Sequence, residues 1–255
     1  MNTKNGTKRL EDKTAIVTGG GCGIGRAIVF DFAREGARVL AGDIDESCLQ
    51  DVKQKAGREG LTVLTMKADI TREDQVYQLV ELGMEELGRI DILVNNAGVS
   101  GPEGIITDIS KKEWDRVLNT NLTGMYLCSK TVVGHMIDRG AGNIINLSSG
   151  AGLRGAPVRR LPYVVSKFGV EGLTYGLAQQ LKGYGICVNA MRPAPTATNM
   201  ATHISAEMKA RLRKPEEISK LAVFLALQTV ETMTGESIAF AEWEKNRLNL
   251  PDQSF

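Results

Sequence analysis

Histidine is nearly missing from this chain. Only His135 and His203 occur in 255 residues, which removes the commonest zinc ligand and the usual general base at neutral pH and argues against a catalytic metal site. Cysteine is scarce as well: Cys22, Cys48, Cys128 and Cys187 are scattered, with no paired spacing for zinc or for a redox dithiol. Reduced thiols in a cytoplasmic protein are the expectation. No apolar run approaches the length of a membrane span, and the polar stretch 1–9 has no apolar core behind it, so neither membrane insertion nor a secretory signal is expected. A net charge of +1 gives no electrostatic reason to expect nucleic acid or an anionic membrane as partner. Low-complexity linkers and internal repeats are lacking too.

What is present is an ordinary globular composition, 42% hydrophobic and 24% charged, in a chain long enough for one large α/β core. Strand-like segments near 14–18, 37–42, 61–68, 91–95, 143–148, 186–191 and 236–241 alternate with helix-like ones. That alternation requires a parallel sheet with helices on both faces, a single-domain doubly wound α/β fold of Rossmann type with about seven strands. The domain is expected to run over 13–241, between a polar N-terminal extension 1–12 and a C-terminal tail 242–255. Within 108–139, Trp114, Val117, Leu118, Leu122 and Met125 are spaced as one packing face of a long amphipathic helical stretch, suited to the core or to a subunit interface.

Chemistry begins at the first strand-to-helix turn. Five glycines fall in the seven residues 19–25, between the short apolar strand 14–18 and a helical pattern over 24–35. Glycine permits a tight turn and lets a pyrophosphate reach main-chain N–H groups at the positive end of a helix. The spacing Gly19-x-x-x-Gly23-Ile24-Gly25 differs from the commoner Gly-x-Gly-x-x-Gly. Asp43 ends the second apolar strand eighteen residues past Gly25. An acid there accepts hydrogen bonds from both hydroxyls of an adenosine ribose and repels a 2′-phosphate. Asp45 is better placed to cap the next helix, which leaves Asp43 free. NAD is therefore the expected cofactor. NADP is the alternative, and the basic residue it usually brings to this turn or to the end of the second strand is lacking.

Tyr163 and Lys167 form the second constellation. One helical turn separates them, so both side chains project from one face, and Pro162 suits the first turn of that helix. A free phenol titrates near 10 and serves poorly as an acid–base group at neutral pH; a neighbouring ammonium favours the phenolate and lowers that value. Ser148 and Ser149 follow the strand 143–148. Either supplies a hydroxyl for the substrate oxygen, with Ser149 the better fit to a Ser-Ser-x-x-Gly pattern.

With these motifs in order, the chain resembles the short-chain dehydrogenase/reductase family, in its compact single-domain branch, over 13–235. The resemblance rests on the glycine turn; on Asp69 (with Ile70) after the third strand; on Asn95-Asn96-Ala97-Gly98 after the fourth; on Asn121, Ser149, Tyr163 and Lys167; and on the segment from Pro193 to Thr198. It implies a catalytic set of Asn121, Ser149, Tyr163 and Lys167, with Asn121 holding a water that relays protons to Lys167. It also implies NAD contacts from Gly19, Gly23, Ile24, Gly25, Asp43, Asp69, Ile70, Asn96, Ala97, Gly98, Tyr163, Lys167, Pro193, Thr196 and Thr198. The expected activity is interconversion of a secondary alcohol and a ketone in a homodimer or homotetramer. A binding-only dinucleotide sensor is the alternative from a different class, and an intact acid–base set argues against it.

Several features depart from the family pattern. The interval from Ser149 to Tyr163 is one residue longer than usual, Ala194 stands where glycine is usual, and the lid segment 198–215 is compact. Ala241-Glu242-Trp243-Glu244 replaces the expected Asp-Gly-Gly, and a polar tail, 245–255, follows. Arg154, Arg159 and Arg160 lie between the catalytic serine and tyrosine, where the family lines its substrate pocket. Guanidinium forks bind oxyanions, so an anionic group on the substrate is one expectation; solvated or interface arginines are the other.

Overall fold

Along β1 (Thr14–Thr18), Ala15 and Val17 point to one side of a sheet and Ile16 to the other, and all five residues are buried. The same alternation runs through β2 (Arg38–Asp43), where Val39 and Ala41 oppose Leu40, and β4 (Ile92–Asn95), where Ile92 and Val94 oppose Leu93. Strands buried on both faces need helices on both, since successive side chains point in opposite directions. The computed structural model, which describes residues 8–153, 159–198 and 212–248, has that arrangement.

One layer holds α1 (Gly23–Arg34), α2 (Glu46–Glu59), α7 (Pro215–Ala226) and α8 (Phe240–Leu248). The other holds α3 (Glu73–Leu87), α5 (Gly124–Arg139) and α6 (Leu161–Leu181). With β3 (Val63–Lys67), β5 (Gly142–Leu147), β6 (Ile186–Arg192) and β7 (Ser237–Ala239), the seven strands form one parallel sheet in the order β3-β2-β1-β4-β5-β6-β7. The order reverses between β1 and β4. Such a reversal opens a crevice beyond the carboxyl ends of the two strands, and every segment with candidate chemistry converges there.

Three features of the fold lie beyond what sequence pattern shows. The boundary drawn after residue 12 cuts off a packed segment: Leu10 is fully buried in the α1 layer, and its N–H donates to the Glu35 carbonyl at 2.8 Å. The boundary after Ala241 falls inside α8, whose Trp243 packs on Phe224 and Phe240 with ring centroids 6.1 and 5.8 Å apart. The polar sequence of that segment concealed one buried aromatic that anchors it. Finally, the amphipathic stretch 108–139 is made of α4 (Lys111–Leu118), a single π turn (Asn119–Thr123) and α5. A π turn admits an extra residue and often marks a functional position; here it holds Asn121, which is fully buried.

Candidate active site at the β1–β4 crossover

The glycine turn is shaped by contacts that leave no space for side chains. Gly19 and Gly23 adopt φ of +62° and +55°, in the left-handed region that favours glycine. A Cβ on Gly25 would stand 2.0 Å from the Gly19 carbonyl oxygen and 2.3 Å from Asn96 Nδ2. Cys22 occupies the N-cap of α1 without a side-chain capping bond, and no acid lies in the first turn. The helix therefore presents its N-terminal N–H groups uncapped beside a glycine cradle, an arrangement suited to a pyrophosphate. These residues fit a dinucleotide.

Asn96 braces this turn. Its Nδ2 donates to the carbonyls of Thr18 and Gly19, both at 2.9 Å, and its own N–H donates to Thr18 Oγ1 at 3.1 Å. Both amide hydrogens are thus engaged by protein, so Asn96 acts on the cradle's shape. Ala97 and Gly98 continue the loop, and a Cβ on Gly98 would lie 3.2 Å from Asn121 Oδ1.

Asp43 is buried at the end of β2. Its carboxylate accepts from the Gly21 N–H at 2.8 Å and from the Asp45 N–H at 3.0 Å. Asp45 caps α2 by accepting from the N–H groups of Ser47 and Cys48, which is the division of labour the sequence suggested. Asp69 lies just past β3, its carboxylate accepting from Thr71, with Ile70 buried beside it. Thr198 stands over the turn from the other side: a Cβ on Gly23 would meet its methyl group at 3.1 Å. Thr196 is buried and donates to the Ala194 carbonyl at 2.6 Å, and the Pro195 carbonyl accepts from the Arg213 N–H at 2.9 Å. Pro193 is half-buried at the start of that loop.

The two serines diverge. Ser148 is buried and donates to Glu171 on α6. Ser149 accepts from the Ala151 N–H at 3.2 Å, and its hydroxyl lies near the Tyr163 phenol. Burial pushes the phenol up, while the nearby Ser149 hydroxyl and then the Arg160 charge pull it down, with a net rise. Lys167 is buried one turn later, its Nζ 5.6 Å from the Tyr163 ring centroid and donating to the Leu147 carbonyl at 2.6 Å. Desolvation lowers this ammonium to about 8, opposed by the nearby Glu171 carboxylate. Glu171 escaped the sequence reading, although its place one turn beyond Lys167 was a usable signal.

Asn121 Nδ2 donates to the Val99 carbonyl at 2.9 Å and to Ser166 Oγ at 3.0 Å, while Oδ1 accepts from the Val99 N–H at 2.8 Å. The side chain ties the loop after β4 to the residue preceding Lys167, and its remaining capacity is one lone pair on Oδ1. Arg160 is engaged by Glu103 at 2.7 Å, and the Arg159 carbonyl accepts from the Gly104 N–H at 3.2 Å. Among the described residues the Arg159 side chain is exposed, and no ion pair to it is recorded. Arg154 lies outside the described residues, as does 199–211 of the expected lid. A shallow apolar cleft beside the start of α6 is lined by Ile106, Ile109, Trp114 and Leu161, with Lys111 at its edge.

Among the described residues no helix is long and apolar enough to cross a membrane, and no group of three or more His, Cys, Asp or Glu converges to hold a metal.

A family model described as short chain dehydrogenase matches residues 13–209. The chain is 37% identical over 241 residues to a 3-oxoacyl-[acyl-carrier-protein] reductase of Thermotoga maritima, covering 90% of this chain and 96% of that one. It is 33% identical over 237 residues to a cis-4-hydroxycyclohexanecarboxylate dehydrogenase of Sinomonas cyclohexanicum, covering 89% and 94%. The crystal structure of a levodione reductase superposes with a TM-score of 0.85 at 28% identity, covering 93% of this chain and 99% of that one.

Proposed function

The chain belongs to the short chain dehydrogenase family of oxidoreductases, which bind a nicotinamide dinucleotide, and we propose that it interconverts a secondary alcohol and a ketone with NAD(H), using Tyr163 as general acid and base. One observation carries the reading. The Ser149 hydroxyl is near enough to the Tyr163 phenol to draw its pKa down, and the buried Lys167 ammonium lies one helical turn away, 5.6 Å from the phenol ring centroid.

Bound against the uncapped turn of α1, the cofactor supplies a hydride acceptor or donor, and this chain moves the proton. In the oxidative direction the Tyr163 phenolate takes the hydroxyl proton of the alcohol while Ser149 donates a hydrogen bond to the same oxygen. Ketone reduction returns the proton along the same path. The phenolate must form in a site whose burial opposes it, so positive charge has to offset desolvation. Lys167 provides part of that charge and has N–H donors left for the nicotinamide ribose. Asn121 is assigned the positioning of α6 through Ser166, and its free Oδ1 lone pair suits it to receive a relay water.

Asp43 supports NAD over NADP: a 2′-phosphate seated against this buried carboxylate meets repulsion and displaces a ribose hydrogen bond. An anionic substrate remains part of the proposal, narrowed to Arg159 because Arg160 is already paired with Glu103. The name of the Sinomonas relative describes a carboxylate-bearing cyclic secondary alcohol, a substrate of that type. Four free cysteines support a reducing, cytoplasmic setting, and the family's habit supports a homodimer or homotetramer.

The test is NADH oxidation against small ketones, each supplied as a carboxylate and as its neutral amide. Turnover of ketones establishes the reaction class, and a binding-only protein turns over none. If Arg159→Ala leaves KM for the carboxylate unchanged, or if the amide is used equally well, the anionic-substrate part is wrong.

A further inference from the structure

Two cysteines that sequence spacing left unrelated meet beside Asp43. Cys22 is exposed between Gly21 and Gly23 at the N-cap of α1. Cys48 is half-buried in the first turn of α2. A Cβ on Gly21 would lie 2.9 Å from the Cys48 Cβ and 2.9 Å from Asp43 Oδ2, so the α2 cysteine stands directly against the glycine turn. Cys22 follows Gly21 directly, which sets the two cysteines beside the same turn, and Cys48 is near enough to act on the Cys22 thiol. Cys128 and Cys187 are buried elsewhere in the fold.

We propose that Cys22 and Cys48 form an oxidisable dithiol, a redox modification site whose disulfide closes the adenosine end of the dinucleotide crevice. The consequence rests on the cofactor site proposed above. A bridge would tie the β1–α1 turn to the first turn of α2 across the Asp43 carboxylate, where the ribose hydroxyls would otherwise sit. It would also fix the Cys22 backbone, which belongs to the anion-binding turn.

With a peroxide as oxidant the chemistry balances. One thiolate attacks a peroxide oxygen, forming an S–O bond, breaking the O–O bond and, after proton transfer, releasing water. The second thiolate attacks that sulfur, forming the S–S bond and releasing the second water. The two sulfurs together lose two electrons, and hydrogen peroxide accepts them. A dithiol reductant reverses the bond by exchange.

The attacking species is a thiolate. Burial, then Asp45, pushes Cys48 up to about 11. Burial, Asp43 and Asp45 raise Cys22, with Cys48 and Arg26 acting in the opposite direction. Oxidation should therefore be slow at neutral pH and faster under alkaline conditions.

The experiment treats the full chain with hydrogen peroxide at mildly alkaline pH, traps remaining thiols with N-ethylmaleimide and maps the peptides by mass. Binding of NADH and NADPH is measured on the same samples before and after dithiothreitol. The expected result is a linked Cys22–Cys48 peptide, two hydrogens lighter than its parts, with dinucleotide affinity weakened by about tenfold or more, within the usual range of coupled sites. The reductant should restore it. Cys48→Ser, with Cys48→Ala as the second variant, should bind dinucleotide when reduced and lose nothing on oxidation. Separate alkylation of both cysteines after peroxide overturns the proposal, and so does a mapped disulfide with unchanged affinity. If the reduced protein binds neither dinucleotide, the cofactor-site reading fails first; peptide mapping, which needs no cofactor, keeps the two failures apart.

Discussion

Ser148 donates its hydroxyl to Glu171, so the serine beside the Tyr163 partner is held by an acid one turn beyond Lys167. Glu171 also accepts from Ser237 Oγ at 3.0 Å. The pairing separates two adjacent, chemically identical residues. Ser148 helps to anchor the acid that faces the buried ammonium, and Ser149 is left for the phenol. Glu171 thereby joins β5, α6 and β7 behind the reacting groups.

Replacing Tyr163 with phenylalanine should preserve the fold and NADH affinity while removing turnover, with a loss of about 10²–10⁴-fold, the usual worth of general acid–base catalysis. Steady-state rates beside a cofactor-binding titration check this. A variant keeping more than half of the wild-type rate would take Tyr163 out of the mechanism.

Measured as kcat/KM, NADH should be preferred to NADPH, and Asp43→Ala should move the ratio towards NADPH. The variant should also weaken NADH use, because the Gly21 N–H loses its acceptor and the glycine turn its brace. Equal efficiency with both cofactors in the wild type would end the NAD assignment.

Lys167→Met should stabilise the protein while abolishing catalysis. The folded pKa of about 8 lies below the ordinary lysine value of 10.5, so the unfolded chain binds this proton more tightly than the native state. The penalty is complete below pH 8 and is relieved as pH rises towards 10.5. At about 1.4 kcal/mol per unit, less about 1 kcal/mol for the orphaned Leu147 carbonyl, the gain at neutral pH is on the order of 2 kcal/mol. Denaturant melts across this range should show wild-type stability rising relative to the variant. A constant difference between the two would contradict the assignment.

For Glu171→Gln, the Lys167 ammonium loses the charge that opposes its desolvation. The amine should then deprotonate at lower pH, moving the basic limb of the kcat/KM profile downwards. Glu171→Asp should restore part of the shift, which a purely structural defect would not do. An unmoved limb would show that Glu171 acts on packing alone.

Much of the fold was legible because it follows from local pattern. Apolar residues such as Ile16 and Leu40 mark strands that two helical layers cover, and the seven expected strands coincide with the observed ones to within two residues at most ends. The glycine turn and the Tyr163–Lys167 spacing are likewise short-range signals. What escaped depends on tertiary contact. Nothing near Asn95 in sequence announces its buried hydrogen bonds to Ser129 and Asn146, or the further bond from Asn146 to Thr174 beneath the site. Leu10 and Trp243 are single apolar residues in polar surroundings, too isolated for periodicity to register. The Arg160–Glu103 pair joins loops 57 residues apart, so the arginine cluster looked freer in sequence than it is in the fold.

The clamp formed by Asn96 has a consequence for the order in which the molecule can be assembled. The residue follows β4, yet both its amide hydrogens go to the end of β1, 77 and 78 positions earlier. The anion-binding turn is therefore encoded in the first tenth of the chain but completed by a residue made much later. A nascent chain ending before β4 carries the glycines without their brace, and dinucleotide should not hold it. Cofactor capture during synthesis would then report that the two halves of the sheet have joined, rather than nucleate the first half.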